Sequence, residues 1–324
     1  MYARLGLAAL GLALLAPQTL VSAQGGDRLN PMIALHEKGL PIFGIAHPGL
    51  TAGRGGRGGR GGATGTAAAG AETPPPPPPP APVLSDVARE TVGYKLADYH
   101  NTSGAPEVFL QYMVEMKKAG GSVKTNPFLA KIPIWHRNPE TSAAAIVRQL
   151  NAGHVGVTMQ SVEAPEEIRE TIKAMRFASA GGTRPDAGYD AAAAYWGISP
   201  QQYRQKADVW PLNRAGELVV HVIIESRPGL ANLQKIAAEP GIAALWVGYG
   251  TLGGVFSGDP AGREAASQQV LAACKQFKIP CGFPTNNPAE IEQRMKEGWS
   301  VFVMQSRNAA GFAAVETGRK LSGR

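Results

Sequence analysis

Glu225 closes the run Leu218-Val219-Val220-His221-Val222-Ile223-Ile224. A carboxylate at the end of an apolar strand is costly unless it meets solvent, a cation or a hydrogen-bond donor. There it can serve as a ligand for a hard metal ion. It can equally well be an exposed strand-end group or half of a local ion pair, and the two readings start level. His221 shares the strand, and the period of two puts positions 221, 223 and 225 on one face. Its imidazole could be a second ligand, although a histidine satisfied within the core is the simpler reading. Other polar residues close apolar runs elsewhere: His47, His100, Lys131, Gln160, Asn286, Gln305 and the 248–252 turn. The sequence holds no Ser-His-Asp arrangement, phosphate loop, haem signature or zinc-type cysteine spacing. Cys274 and Cys281 are the only cysteines. One lies on a predicted helix and the other on the following strand, in apolar surroundings, and they read as two buried thiols rather than a disulfide.

The elements that must position these residues alternate in type. Predicted strands cover 41–46, 93–99, 128–134, 155–159, 218–224, 243–247, 279–283 and 300–304. Predicted helices cover 85–91, 107–119, 139–150, 165–175, 228–238, 263–277, 288–297 and 307–321, with shorter helical pieces near 190–196 and after Pro200. Strands buried on both faces of a parallel sheet read as continuous apolar runs, as most of these do. About eight strand–helix units in roughly 270 residues predict a (β/α)8 TIM barrel. A doubly wound sheet is the alternative, weakened because no GxGxxG follows the first strand. In a barrel, chemistry sits at the C-terminal ends of the strands, which is where the residues above fall.

The chain has 324 residues, 40 of them Gly and 26 Pro, and a formal charge of +7. Much of that bias sits in two segments. Residues 1–23 hold an early Arg4, an apolar run and small residues before Gln24, the pattern of a secretory signal peptide too short for a stable membrane span. Residues 51–83 hold three RGG units, an Ala/Gly stretch and Pro74–Pro80, with no apolar period; such a low-complexity insert is expected to be disordered. Arg4, Arg54, Arg57 and Arg60 against Glu72 carry three of the seven excess charges. Arg-Gly segments can bind nucleic acid, but here they interrupt a loop and interleave no aromatic residue, so nucleic acid is not an expected partner. The expected organisation is a signal peptide at 1–23, the start of the barrel at 24–50, the insert at 51–83 after the first strand, and the rest of the barrel at 84–324. The expected location is the periplasm or outside the cell.

Beyond these patterns, several stretches resemble the HpcH/HpaI aldolase/citrate lyase family. The densest is Val222-Ile223-Ile224-Glu225-Ser226, then Gly229-Leu230-Ala231-Asn232-Leu233 with Ile236, Pro240-Gly241-Ile242, and Leu245 to Leu252. Leu150 to Val157, Val162 to Glu167, Lys131-Ile132-Pro133 and Gly182-Thr183-Arg184 extend it, over about residues 85–320. The resemblance implies a phosphoenolpyruvate/pyruvate-type barrel and a carbon–carbon lyase, of the aldehyde-lyase or oxo-acid-lyase kind, acting on a 2-oxo acid through a metal-stabilised enolate. It implies Mg2+ or Mn2+ held by Glu225 and by the residue at position 251. It gives Lys131 a catalytic and substrate-binding role and His100 a role in proton transfer, with Arg184, Gly248 and Gly250 as further substrate contacts. It also implies a homo-oligomer in which the last helix packs on a neighbour.

The chain departs from the family pattern at this site. Thr251 stands where the family has Asp, Lys131 where it has Arg, Tyr99 where it has Glu before His100, Gln160 and Tyr249 where it has Pro, and Pro185 where it has Gly. Three readings follow: a lyase whose second ligand comes from His221, Asp259 or water; a metal-independent enzyme that stabilises an enolate with Lys131 and backbone N–H groups; or a non-catalytic periplasmic barrel that binds a small carboxylate or dicarboxylate at a degenerate metal site.

Overall fold

The computed structural model describes residues 28–50, 81–103 and 108–324. The signal-peptide segment and nearly all of the low-complexity insert lie outside the described residues. Eight parallel strands close into a barrel in sequence order: β1 (Ile42–Ala46), β2 (Tyr99–Thr102), β3 (Phe128–Lys131), β4 (Gly156–Met159), β5 (Val219–Ile224), β6 (Ala244–Val247), β7 (Cys281–Pro284) and β8 (Val301–Met304). Closure comes from β1 pairing with β8, Ile42 beside Val301 through Ile45 beside Met304. The predicted (β/α)8 barrel is the observed fold.

Helices cover the outside, and local chemistry sets their ends. α1 (Pro31–Glu37), absent from the sequence-based prediction, starts where the Asn30 side chain accepts from the Met32 N–H. α2 (Leu84–Gly93) and α3 (Phe109–Lys118) follow β1 and β2. α4 (Pro139–Ala152) begins with Asn138 accepting from the Thr141 N–H and Pro at the first position, and stops at Gly153 with φ 111°, a backbone angle that favours Gly. In α5 (Pro165–Met175) the Glu167 carboxylate accepts from the backbone N–H groups of Glu163 and Ala164. α6 (Asp190–Trp196) and α7 (Pro200–Lys206) lie between α5 and β5. The single predicted helix at 228–238 is two short pieces, α8 (Arg227–Ala231) and α9 (Leu233–Ala237). The predicted turn at 248–252 is instead part of a helix, α10 (Tyr249–Val255). α11 (Pro260–Phe277), α12 (Pro288–Glu297) and α13 (Ala309–Leu321) complete the layer.

Two expectations fail for physical reasons. The second strand begins at Tyr99 rather than ending there, because its residues Tyr-His-Asn-Thr are polar and do not form an apolar run. Barrel pairing, not hydrophobicity, selects it: Gly44 sits beside Tyr99, and the Tyr99 ring occupies the space a side chain at 44 would need, 2.1 Å from where its Cβ would lie. The cysteines are joined as a Cys274–Cys281 disulfide, Cα atoms 5.6 Å apart. The helix-to-strand connection brings them together, which a reading based on apolar surroundings alone does not register.

Candidate functional site

Inward positions follow the two-residue period of the strands. Tyr99 and Asn101 from β2, Lys131 from β3, Thr158 from β4, Ile223 from β5, Trp246 from β6, Pro284 from β7 and Val303 from β8 line one cavity at the C-terminal mouth. Gln160, Glu225 and Gln305 continue the same faces just past the strand ends, and Gly248, Gly250 and Thr251 form its rim. The cavity measures about 630 Å3 including its open mouth, a size suited to a small molecule. Among the described residues, Lys131 and Glu225 are the only charged ones that line it.

Lys131 is half-buried, and its amine makes no hydrogen bond or ion pair among the described residues. Burial lowers its pKa from the ordinary lysine value, and the Glu225 charge partly opposes that shift. Glu225 accepts a hydrogen bond from Ser161 Oγ at 2.7 Å. Ser161 holds a left-handed backbone with φ 49°, uncommon for a residue with a side chain. The bond to Glu225 and the bond from the Val162 N–H to the Ile223 carbonyl fix the chain there. Gly248 is required: a Cβ would lie 2.3 Å from the Glu225 Cβ. The Gly248 N–H donates to the Ile224 carbonyl, so the substrate contact implied for it cannot use that group.

Two wall atoms lack partners. Trp246 Nε1 and the Asn101 side-chain oxygen are buried and have no hydrogen-bond partner. Buried polar atoms are nearly always paired; these two are enclosed by protein within residues that line the cavity. Sequence reasoning missed Asn101, Trp246 and Ser161. Asn101 and Trp246 could have been found only from the inward register, and nothing local marks Ser161.

Other expected site residues lie elsewhere. His100 points outward from β2. It is fully buried beside Phe128, with Nε2 3.3 Å from the Asn126 side-chain nitrogen, and burial lowers its pKa to about 3. It is a neutral packing group, not a proton carrier in the cavity. His47 is similarly enclosed, its Nε2 2.7 Å from the Tyr112 hydroxyl. Arg184 is buried among Asn151, Tyr203 and Phe177, donating to Asn151 Oδ1 at 2.8 Å and to the Tyr203 hydroxyl at 3.0 Å, with its guanidinium 4.3 Å from the Phe177 ring centre. It organises the loop after α5 and touches no part of the cavity. Arg184→Met should therefore destabilise the fold by about 2 kcal/mol through the orphaned Asn151 oxygen and the lost contact with Phe177, measured by urea unfolding, and leave ligand affinity unchanged. Asp98 lies at the opposite end of the barrel, accepting from Arg319 and Arg324 and from the Phe43 N–H.

The donor set does not fit Mg2+ or Mn2+. Hard dications take several oxygen ligands, with carboxylates supplying charge. Here one carboxylate, already bonded to Ser161, faces a lysine across the cavity. Thr251 lines the rim with a neutral hydroxyl. His221 is fully buried against Tyr99 and Trp246, and Asp259 caps α11 by accepting from the Gly262 N–H, so neither supplies the missing ligand. Among the described residues no group of three His, Cys, Asp or Glu could hold a metal ion.

The chain is a parallel (β/α)8 barrel with a lysine and a glutamate lining a cavity at its C-terminal mouth. No protein-family model matches the chain. The chain is 29% identical over 165 residues to the 2-dehydro-3,6-dideoxy-6-sulfogluconate aldolase of Pseudomonas putida, covering 49% of this chain and 60% of that protein. It is 29% identical over 170 residues to the hydroxypyruvate/pyruvate aldolase of Paraburkholderia phytofirmans, covering 50% and 62%. The matched stretch thus spans about 60% of the length of these curated relatives. Among solved structures, an HpcH/HpaI aldolase/citrate lyase family protein from Burkholderia cenocepacia shares the fold with TM-score 0.62 at 18% identity, over 90% of this chain and 98% of that one. An HpcH/HpaI aldolase from Desulfitobacterium hafniense does so with TM-score 0.59 at 17% identity, over 89% and 95%. The family resemblance read from the sequence is therefore met again in the names of the relatives and in the fold of the structural neighbours. No helix among the described residues is long and apolar enough to cross a membrane.

Proposed function

We propose that the chain is a carbon–carbon lyase of the aldolase kind that acts on a small 2-oxo acid without a divalent metal. The observation that carries this reading is that, among the described residues, Lys131 and Glu225 are the only charged groups lining the cavity. Lys131 supplies the positive charge that attracts the substrate carboxylate and the oxygen that becomes negative as an enolate forms. Glu225, the one carboxylate lining the cavity among the described residues, supplies a base for a proton on the carbon beside the carbonyl. The aldolase names of the curated relatives support the reaction class. The enolate of the family is retained in this proposal; its stabilisation by Mg2+ or Mn2+ is not, because the donor set lacks a second carboxylate.

An oxidising location, periplasmic or extracellular, belongs to the same proposal. The Cys274–Cys281 disulfide supports it, since such bonds persist mainly outside the reducing cytosol. Assembly as a homo-oligomer through α13 is a further part.

Hydrogen–deuterium exchange at the pyruvate methyl group, followed by proton NMR, tests the reaction. Exchange is expected, and expected to continue at the same rate after exhaustive chelation. Exchange that stops with chelator and returns with Mn2+ would restore the metal-dependent reading. Saturable binding of pyruvate with no exchange would leave a carboxylate-binding barrel.

A further inference from the structure

We propose that Lys131 forms an imine with the carbonyl carbon of the bound 2-oxo acid, so that the electron sink for carbon–carbon chemistry is a covalent bond to the chain. This rests on the proposed function above and specifies how it operates. Among the described residues Lys131 is the only cation that lines the cavity, and it sits at the end of β3, a barrel strand. Among the described residues no acidic side chain holds its amine in a hydrogen bond, so none competes with a ligand for the nitrogen. Desolvation by the barrel wall favours the uncharged amine, the form that is nucleophilic. With a single carboxylate lining the cavity among the described residues, an iminium is an electron sink that the chain can build from its own atoms.

The step balances without an added reagent. The ammonium of Lys131 first loses a proton to solvent at the open mouth, a loss that desolvation of the amine favours. The neutral amine adds to C2 of the oxo acid. The carbonyl oxygen leaves as water with the two remaining amine hydrogens, and a C=N bond remains. A proton from solvent then converts the imine to an iminium in the cavity that also holds the Glu225 carboxylate. The carboxylate then takes a proton from C3, the C–H electron pair becomes a C2=C3 bond, and the C=N pair moves to nitrogen, giving an enamine. Addition of that carbon to an aldehyde, or reprotonation from solvent, is followed by hydrolysis, which restores Lys131 and the carbonyl.

Sodium borohydride added to the full chain with pyruvate, and separately with hydroxypyruvate, tests the imine. Reduction should leave one adduct per chain, heavier than the protein by the oxo acid less one oxygen atom. Peptide mapping should place it on Lys131, with chelator making no difference. Lys131→Arg and Lys131→Met should each lower labelling at least about tenfold, because neither side chain can form the bond; circular dichroism of both variants establishes that they are folded. Methyl-proton exchange by the wild type with no adduct would overturn the imine and leave the proposed lyase standing. Adducts that persist in both folded variants would also overturn it. Failure of both exchange and labelling would remove the lyase reading and the imine together.

Discussion

Lys131→Met is expected to cut methyl-proton exchange by about a thousandfold or more while leaving the barrel intact. The side chains are similar in length, and the lysine amine has no hydrogen-bond partner among the described residues to orphan. The substitution also removes the cost of holding a cation in a partly buried wall, the same effect that lowers the Lys131 pKa. Urea unfolding should therefore show a midpoint equal to the wild type or above it. Loss of rate with retained stability separates a chemical role from a structural one. If kcat survives and only KM rises, Lys131 merely attracts the carboxylate, and the chemistry lies elsewhere in the cavity.

Glu225→Gln tests the second charged group. The amide keeps the shape that Gly248 accommodates, and its oxygen can still accept from Ser161 Oγ. What disappears is the base. Proton transfer by a positioned side chain contributes about 100- to 10,000-fold, so exchange should fall within that range with folding preserved. Added Mn2+ should not change the rate of either protein. If Mn2+ accelerates the wild type and leaves Glu225→Gln unaffected, Glu225 is a metal ligand after all, and the neutral hydroxyl of Thr251 is compensated by a group outside the described residues.

The two substitutions also bear on why the departures from the family pattern cluster where they do. Thr251 and Lys131 face the same cavity. A cation that can become a nucleophile makes a second carboxylate ligand unnecessary, so the two changes are consistent with a single change of strategy. His100 and Arg184 fit that view. Both are enclosed by protein groups rather than by the cavity, and neither is available to a ligand.

Much of the fold was legible because its signals are local. Parallel strands buried on both faces are continuous apolar runs, and Leu218 to Ile224 or Val301 to Met304 can be nothing else in a chain of this rhythm. Helix starts such as Asn138-Pro139 announce themselves through capping and a fixed φ. The strand-end position of Glu225, and its place on one face with Ile223, follow from the same counting. The polar strand β2 carries no such signal, and its boundaries were misplaced by several residues.

The candidate site was legible only in part. The sequence by itself determined the fold class, the strand on which Glu225 ends, and the presence of lysine and threonine where a resemblance expects arginine and aspartate. Only the tertiary structure decided which residues meet. On a strand, a displacement of one position turns a side chain from one face to the other, and that single step puts Asn101 in the cavity and His100 outside it. Lys131 and Glu225 share a cavity because closure of the barrel sets the mouths of β3 and β5 together, and Arg184 is excluded because its loop folds back onto α4 and α7. Cys274 and Cys281 pair through the return of α11 to β7. These outcomes depend on register and on contacts between segments distant in the chain, which local residue patterns do not encode.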